Sequence, residues 1–354
     1  MAGRREWIGW PLLSHCGVRS ATMDERRFRR MRFTITRSFK AYLVVLWLAL
    51  CVAGSDIGLG VVLKKRLLLE HDEKNLTYRY DSELGWFPIA NSNKTFTGSR
   101  TIHVEHNARG FRDIEHVVGA KPRMMVLGDS FVWGYDVEQP ERFTEKLRSR
   151  LPGWSVYNLG VSGYGTDQEY LLLKREFAFY KPQIVFLVFC RDNDEDDNTH
   201  NARYGAYYKP YFTIDSDSLT LRGVPVPRSE KYFFAQHDLL AKSSWVRLFA
   251  LAYFHRTAPR AYTTPISPTH AILADMQRYV ESRGGQLVVG LQKPYPELEQ
   301  FLSERNIPHV ELVNPYIYVG GSHHWTPAGH TFVSDKIVTF LDSGHYLAKP
   351  VNGP

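Results

Sequence analysis

The sequence predicts an α/β protein with a three-layer parallel sheet, preceded by an N-terminal transmembrane or signal segment. Three observations carry this expectation. Between residues 121 and 345, short apolar runs alternate with segments of helical periodicity. The runs end in glycine or polar clusters, as buried parallel strands do. Residues 41–63 hold a single charged side chain, Asp56, and are long enough to cross a bilayer.

Taken from the start, residues 1–40 carry ten Lys or Arg and three acids, the whole +7 excess of the chain. Residues 41–354 are balanced, with 34 basic and 34 acidic side chains. A polyanion-binding surface is therefore not what defines the folded part, and no nucleic-acid partner is expected. Ala41 to Ser55 are uncharged, and an aspartate near the end of a spanning helix costs less than one at its centre. Lys64 and Lys65 close the segment. The preceding positive charge orients the N-terminus to the cytoplasm and places everything after about residue 65 outside. The rival is a cleaved signal peptide, since Ala53-Gly54-Ser55 offers small residues of the kind a signal peptidase reads. Both readings export the domain; the first gives a single-pass bacterial inner-membrane protein with a periplasmic domain. Met23 or Met31 could serve as the start. A lipid anchor at Cys51 is disfavoured because Leu50 stands where a small residue is wanted.

Residues 66–120 read as a strand-rich extension, with short strands over Asp81 to Phe87 and Arg100 to Phe111 around a turn at Asn91-Ser-Asn-Lys94. Domain 121–345 follows. Strands are expected at Arg123 to Leu127, Trp154 to Leu159, Ile184 to Phe189, Gln286 to Leu291 and His309 to Val313. Ile184 to Phe189 is the most apolar and is placed at the centre. Helices are expected at Glu141 to Leu151, Asp167 to Tyr180, Thr269 to Arg283, Tyr295 to Arg305 and Ala328 to Leu341. Residues 195–264 interrupt the rhythm as an aromatic-rich insertion. In it a hairpin is expected over Tyr211–Ile214 and Leu219–Val224, and a helix over Leu239–Phe249. Cys190 is the one cysteine beyond the apolar segment, so the exported part forms no internal disulfide. Nothing has metal-ligand spacing, and neither metal nor cofactor is expected.

The strand ends carry the chemistry. Gly128-Asp129-Ser130 follows the first strand, at the edge where open parallel sheets bind ligands. Asn158-Leu-Gly160-Val-Ser-Gly163-Tyr-Gly165-Thr-Asp-Gln168 follows the second, and its three glycines allow close backbone approach. Cys190-Arg-Asp-Asn193-Asp194 follows the third. Ser322-His323-His324-Trp-Thr-Pro-Ala-Gly-His330 precedes the last helix. Together they supply a hydroxyl, a backbone amide, a carboxamide and an imidazole: the nucleophile, oxyanion donors and base of acyl transfer.

In these four ordered blocks the chain resembles the SGNH, or GDSL-type, hydrolase superfamily, from about Arg123 to Leu341. The Gly-Tyr-Gly-Thr-Asp-Gln run, with Leu84-Gly-Trp and Asn107-Ala-Arg-Gly-Phe-Arg112 upstream, is close to an exported bacterial branch. The resemblance implies a flavodoxin-like sheet and ester chemistry. It implies Ser130 as nucleophile, His324 as base, and an oxyanion hole from the Ser130 and Gly163 amides and the Asn193 side chain. One departure stands out. The family carries an aspartate two or three residues before the histidine, and here those positions are Ser322 and Gly321. Three readings remain open: a Ser–His dyad with Ser322 or a backbone carbonyl orienting the ring, an acid supplied from elsewhere, and a degenerate domain. His330 is expected to be structural and Asp129 to brace the serine turn. Asp194 and Glu195-Asp-Asp197 read as a solvated loop rather than a cation site. Tyr204, Tyr207, Tyr208, Tyr211 and Phe212 fit either sugar stacking or the core of the insertion. The expected activity is that of a serine esterase on O-acyl groups, O-acetyl on envelope or extracellular carbohydrate first among them. An O-acyltransferase using the same site and an inactive carbohydrate-binding or assembly protein are the alternatives. The oligomeric state is open.

Overall fold

A computed structural model describes residues 25–63, 77–204, 207–216 and 218–347. Residues 1–24 of the basic tail, with Met23, lie outside this set, as do Lys64, Lys65 and the first residues of the extension. The chain divides into two units, 1–64 and 65–354. In the first, helix α1 runs over Glu25–Val62, and its part Thr36–Val62 is 27 residues long and apolar enough to cross a membrane or serve as a signal segment.

The second unit opens with two antiparallel hairpins, β1 (Tyr78–Asp81) with β2 (Gly85–Pro88), and β3 (Asn93–Thr97) with β4 (Thr101–Glu105). This corrects the expected strand Asp81 to Phe87. The Asp81 carboxylate accepts the N–H groups of Glu83 at 3.0 Å and Leu84 at 2.9 Å, which folds the chain into a turn there. The expected turn at 91–94 is shorter, because Asn91 takes the left-handed conformation alone and pairing begins at Asn93.

The alternating elements follow in order. They are β5 (Arg123–Leu127), α2 (Ser130–Trp133), α3 (Phe143–Arg150), β6 (Ser155–Asn158), α4 (Thr166–Tyr180) and β7 (Ile184–Phe189). The insertion holds α5 (Asp194–Asp197), β8 (Ala202–Arg203), β9 (Tyr207–Tyr208), β10 (Tyr211–Asp215), β11 (Ser218–Arg222), α6 (Glu230–Gln236), α7 (Asp238–Ala241) and α8 (Ser244–Thr257). Then come α9 (Thr269–Glu281), β12 (Gln286–Leu291), α10 (Pro296–Glu304), β13 (His309–Glu311) and α11 (Pro327–Ser343). The hairpin of the insertion is where its turn residues put it. The expected helix 239–249 is instead two helices, because Ser243 ends the first and caps the second, its Oγ accepting Val246 N–H.

The five-stranded sheet has the order β13-β12-β7-β5-β6, and every neighbouring pair is parallel. Counted along the chain this is 2-1-3-4-5, the flavodoxin-like order, with its switch point between β5 and β7. The pleat sends alternate side chains to opposite faces. Met125, Leu127, Val185, Leu187 and Phe189 join α4, α9 and α10 in one core. Met124, Val126, Ile184, Phe186 and Val188 join α2, α3 and α11 in the other. Central β7 is buried at all six positions, as its composition requires. Trp86 and Phe87 of the first hairpin enter the first core, while Phe96, Ile102 and Val104 of the second pack on Trp133. Thus the second hairpin reaches the segment that follows Ser130, and the first reaches the loop after β6, where Trp86 Nε1 donates to Ser162 O at 3.2 Å.

Candidate active site

Gly128 and Ser130 sit at the carboxyl end of β5, beside the switch point. A side chain at Gly128, at φ +155°, would meet Val132 Cγ2 at 2.3 Å, so only glycine permits so tight a strand-to-helix turn. Asp129 caps the helix, its Oδ1 accepting Phe131 N–H at 2.9 Å. Gly160, after β6, lies so close to α2 that a Cβ would stand 2.5 Å from Trp133 N. The bare backbone of this loop thereby lies against the serine helix.

The structure brings the separated blocks together. His324 Nε2 lies 2.7 Å from Ser130 Oγ. Asn193 Nδ2 donates to Asp129 Oδ2 at 2.6 Å, so the third block is tied to the first through the residue beside Ser130. Ser130 Oγ itself lies 3.5 Å from the same oxygen. Gly163 is in the left-handed conformation at φ +82°. His330 is elsewhere in role: its Nδ1 accepts Phe143 N–H and its ring stacks on Phe143. Burial, followed by the nearby Arg142 charge, pushes it well below the usual imidazole range, so it is a neutral structural histidine.

The His324 ring stacks on Tyr135 with centroids 4.4 Å apart and lies 4.7 Å from Phe131. Ser322 Oγ donates to Asp136 Oδ2 and accepts the main-chain N–H of His324 at 3.3 Å. Asp136 is fully buried, and its other oxygen accepts Ser99 N–H at 2.8 Å. Ser99 Oγ in turn accepts Ser322 N–H at 2.9 Å. The carboxylate that holds the histidine loop is therefore Asp136, from the end of the first block, and not an acid of the insertion. Arg112, within the upstream Asn107–Arg112 run, braces the same segment by donating to Gly134 O at 2.6 Å and Val137 O at 2.8 Å. Sequence reasoning missed Asp136 and Tyr135. Their signal was faint: an aspartate just past Gly134 that takes the left-handed conformation.

Behind Ser130 and Asn193 lies a group of buried acids, Asp129, Asp167, Glu169, Asp194 and Asp197. This corrects the solvated-loop reading of residues 194–197: Asp194 and Asp197 are buried, while Glu195 and Asp196 stay toward solvent. Two cations face the group. Lys209 pairs with Asp167 and donates to Asp197 O at 2.9 Å. Arg203 forms an ion pair with Asp197 at 2.6 Å whose angles do not make a hydrogen bond. Burial, then the charges of Asp194 and Asp129, drives Glu169 well above the usual carboxylate range. Burial, then Asp129, does the same to Asp194. Both shifts favour the protonated form, which lightens the uncompensated charge in the interior. Among the described residues no His, Cys, Asp or Glu cluster could hold a metal ion. Of the aromatics, Tyr207 and Phe212 are core, whereas Tyr204 stands exposed under the Arg203 guanidinium.

No protein-family model matches the chain, and no curated protein matches it. Solved structures do overlay on it loosely. A member of the lipolytic G-D-S-L family from Veillonella parvula is 11% identical, covering 61% of this chain and 96% of its own, at a TM-score of 0.35. The esterase EstA from Pseudoalteromonas is 9% identical, covering 64% and 100%, at 0.37. A two-domain esterase active on acetylated mannans is 11% identical, covering 66% and 52%, at 0.36. At such values the architecture stands on this chain's own strand order, a three-layer flavodoxin-like α/β sheet.

Proposed function

We propose that the chain is an exported, membrane-anchored serine hydrolase of the SGNH type, acting on O-acyl esters through an acyl-enzyme. The observation that carries the reading is the 2.7 Å contact between Ser130 Oγ and His324 Nε2. In this reading Ser130 Oγ attacks the ester carbonyl while His324 Nε2 accepts its proton and then delivers it to the leaving alcohol. The oxygen that gains charge is met by the main-chain N–H groups of Ser130 and Gly163 and by the Asn193 amide. That amide has two hydrogens. One goes to Asp129 and fixes the amide plane; the other is offered to the oxyanion. His324 works without an adjacent aspartate. Stacking on Tyr135 fixes its ring plane, and the Asp136–Ser322 contact fixes its loop.

Water as the acceptor gives an esterase, and a sugar hydroxyl in its place gives an O-acyltransferase with the same intermediate. The mechanism needs no cofactor. O-acetyl carbohydrate of the cell envelope is the substrate class we favour. The basic flank of the apolar helix exports the domain, and the insertion presents exposed Tyr204 against Arg203, the partner of buried Asp197. The decisive test is labelling by a fluorophosphonate. Wild type should be labelled and Ser130→Ala should not. An unlabelled wild type would replace this reading with that of a binding protein on the same fold.

A further inference from the structure

Between Trp245 and Phe254 helix α8 is apolar at every position except Arg247, a pattern that normally means burial between two layers. Here only one side is covered. Phe254 packs against Phe233 of α6, with centroids 5.8 Å apart. Trp245, Phe249 and Tyr253, four residues apart, line an exposed face, with the latter two 67% and 62% accessible. No residue of the helix is buried. Leu239 and Leu240 of α7 are exposed as well. Residues 239–274 contain Lys242, Arg247, Arg256 and Arg260 and not one acid.

We propose that α7 and α8 lie on the surface of an anionic lipid bilayer, with Trp245, Phe249 and Tyr253 in the headgroup layer and Lys242, Arg256 and Arg260 on the lipid phosphates. Aromatic side chains with one apolar body and one polar edge favour that layer, and basic residues beside them add attraction to anionic lipid. The chain itself supplies the proximity. Residues 63–76 separate the end of α1 from the first described residue of the second unit, and fourteen residues reach at most about 50 Å. The inference rests on the membrane-anchored reading of α1. A second copy of the chain is the poorer occupant, because a two-fold axis through this face would set Lys242, Arg256 and Arg260 against the same three residues.

The test uses the full chain in vesicles of phosphatidylethanolamine and phosphatidylglycerol, with Cys16 and Cys51 replaced by serine and a spin label at Phe249→Cys or Tyr253→Cys. Ser303→Cys, on the exposed side of α10, is the reference. Accessibility to oxygen relative to a water-soluble nickel complex should be several-fold higher at 249 and 253 than at 303. Equal ratios overturn the proposal, and so does spin–spin broadening at 249, which would report a second copy. Carbonate extraction of the same vesicles reports on α1 separately. A chain that stays with the membrane while its 249 label remains in water defeats this inference alone; a chain that is extracted defeats the anchored reading with it.

Discussion

The Ser322 hydroxyl donates to the buried carboxylate of Asp136 and accepts the main-chain N–H of His324 at 3.3 Å. This contact decides between two expected effects of placing a carboxylate at position 322. In a Ser–His dyad with no further partner, Ser322→Asp would supply the carboxylate that the SGNH pattern carries two or three residues before its histidine, and activity should rise. In the structure the new carboxylate would stand against Asp136, lose the donated hydrogen bond and add like-charge repulsion in a buried place. Ser322→Asp is therefore expected to lower kcat on a small acetyl ester by about tenfold or more, the loss of one to two hydrogen bonds, with Asp136→Asn in the same chain recovering part of it. A gain in the single variant would show that His324 wants a charge more than its loop wants this contact.

Asn193 is bound on one side by Asp129 at 2.6 Å. Asn193→Ala should reduce kcat by about 10²-fold with KM little changed, since an oxyanion donor acts mainly in the transition state. Asn193→Asp should be worse than alanine, because it sets a carboxylate against Asp129 and offers the oxyanion no proton. Steady-state kinetics on the same ester order the three proteins, and an aspartate variant as active as wild type would remove Asn193 from the site.

The strands and helices of the sheet were legible because each announces itself locally. Ile184 to Phe189 is six apolar residues closed by a polar cluster, and Thr269 to Glu281 has apolar residues on one face. The four strand-end blocks were legible for the same reason, as each is contiguous. What bears on His324 from a distance was not. Tyr135 and Asp136 are separated from it by nearly two hundred residues, and Ser99 by more. Their contacts depend on how the second hairpin packs on Trp133, which no periodicity encodes. The acids at 194 and 197 misled because charge runs are usually solvated, and only the sheet edge above them determines that these two turn inward.

The direction of export is open to a direct measurement. With ten basic residues before the apolar helix and none within residues 41–63, a reporter fused after Pro354 should be active only if it works outside the cytoplasm. Activity of a cytoplasmic reporter at that position would overturn the envelope substrate as well as the topology.

His106 gives the fold an acid limit. Burial, reinforced by Arg112 and Arg142, lowers it from 6.5 to about 4. The unfolded chain thus takes up a proton near pH 6.5, while the folded chain resists until about pH 4. Stability from this group is complete above 6.5 and falls as pH drops through that window, by at most about 3 kcal/mol at 1.4 kcal/mol per unit. His106→Gln should flatten the decline. Thermal unfolding of both proteins in detergent at pH 7.0 and 4.5 checks it, and parallel losses would mean that His106 is protonated alike in both states.

Glu169 gives the opposite slope. Both of its carboxylate oxygens are buried without a hydrogen-bond partner, and its neighbours Asp194 and Asp129 repel a charge placed there. The folded chain therefore keeps the proton that the unfolded chain releases around pH 4.5. Between that pH and the raised folded value the native state binds more protons, so this group lowers stability as pH rises, by up to about 1.4 kcal/mol per unit. Glu169→Gln keeps the shape and has no proton to lose. The variant should gain on wild type as the pH is raised from 5 toward 8, with the difference widening until the raised folded value is passed. Denaturation in detergent across that range measures it. A constant difference would mean that the glutamate is already ionised in the folded protein and that a donor reaches it there.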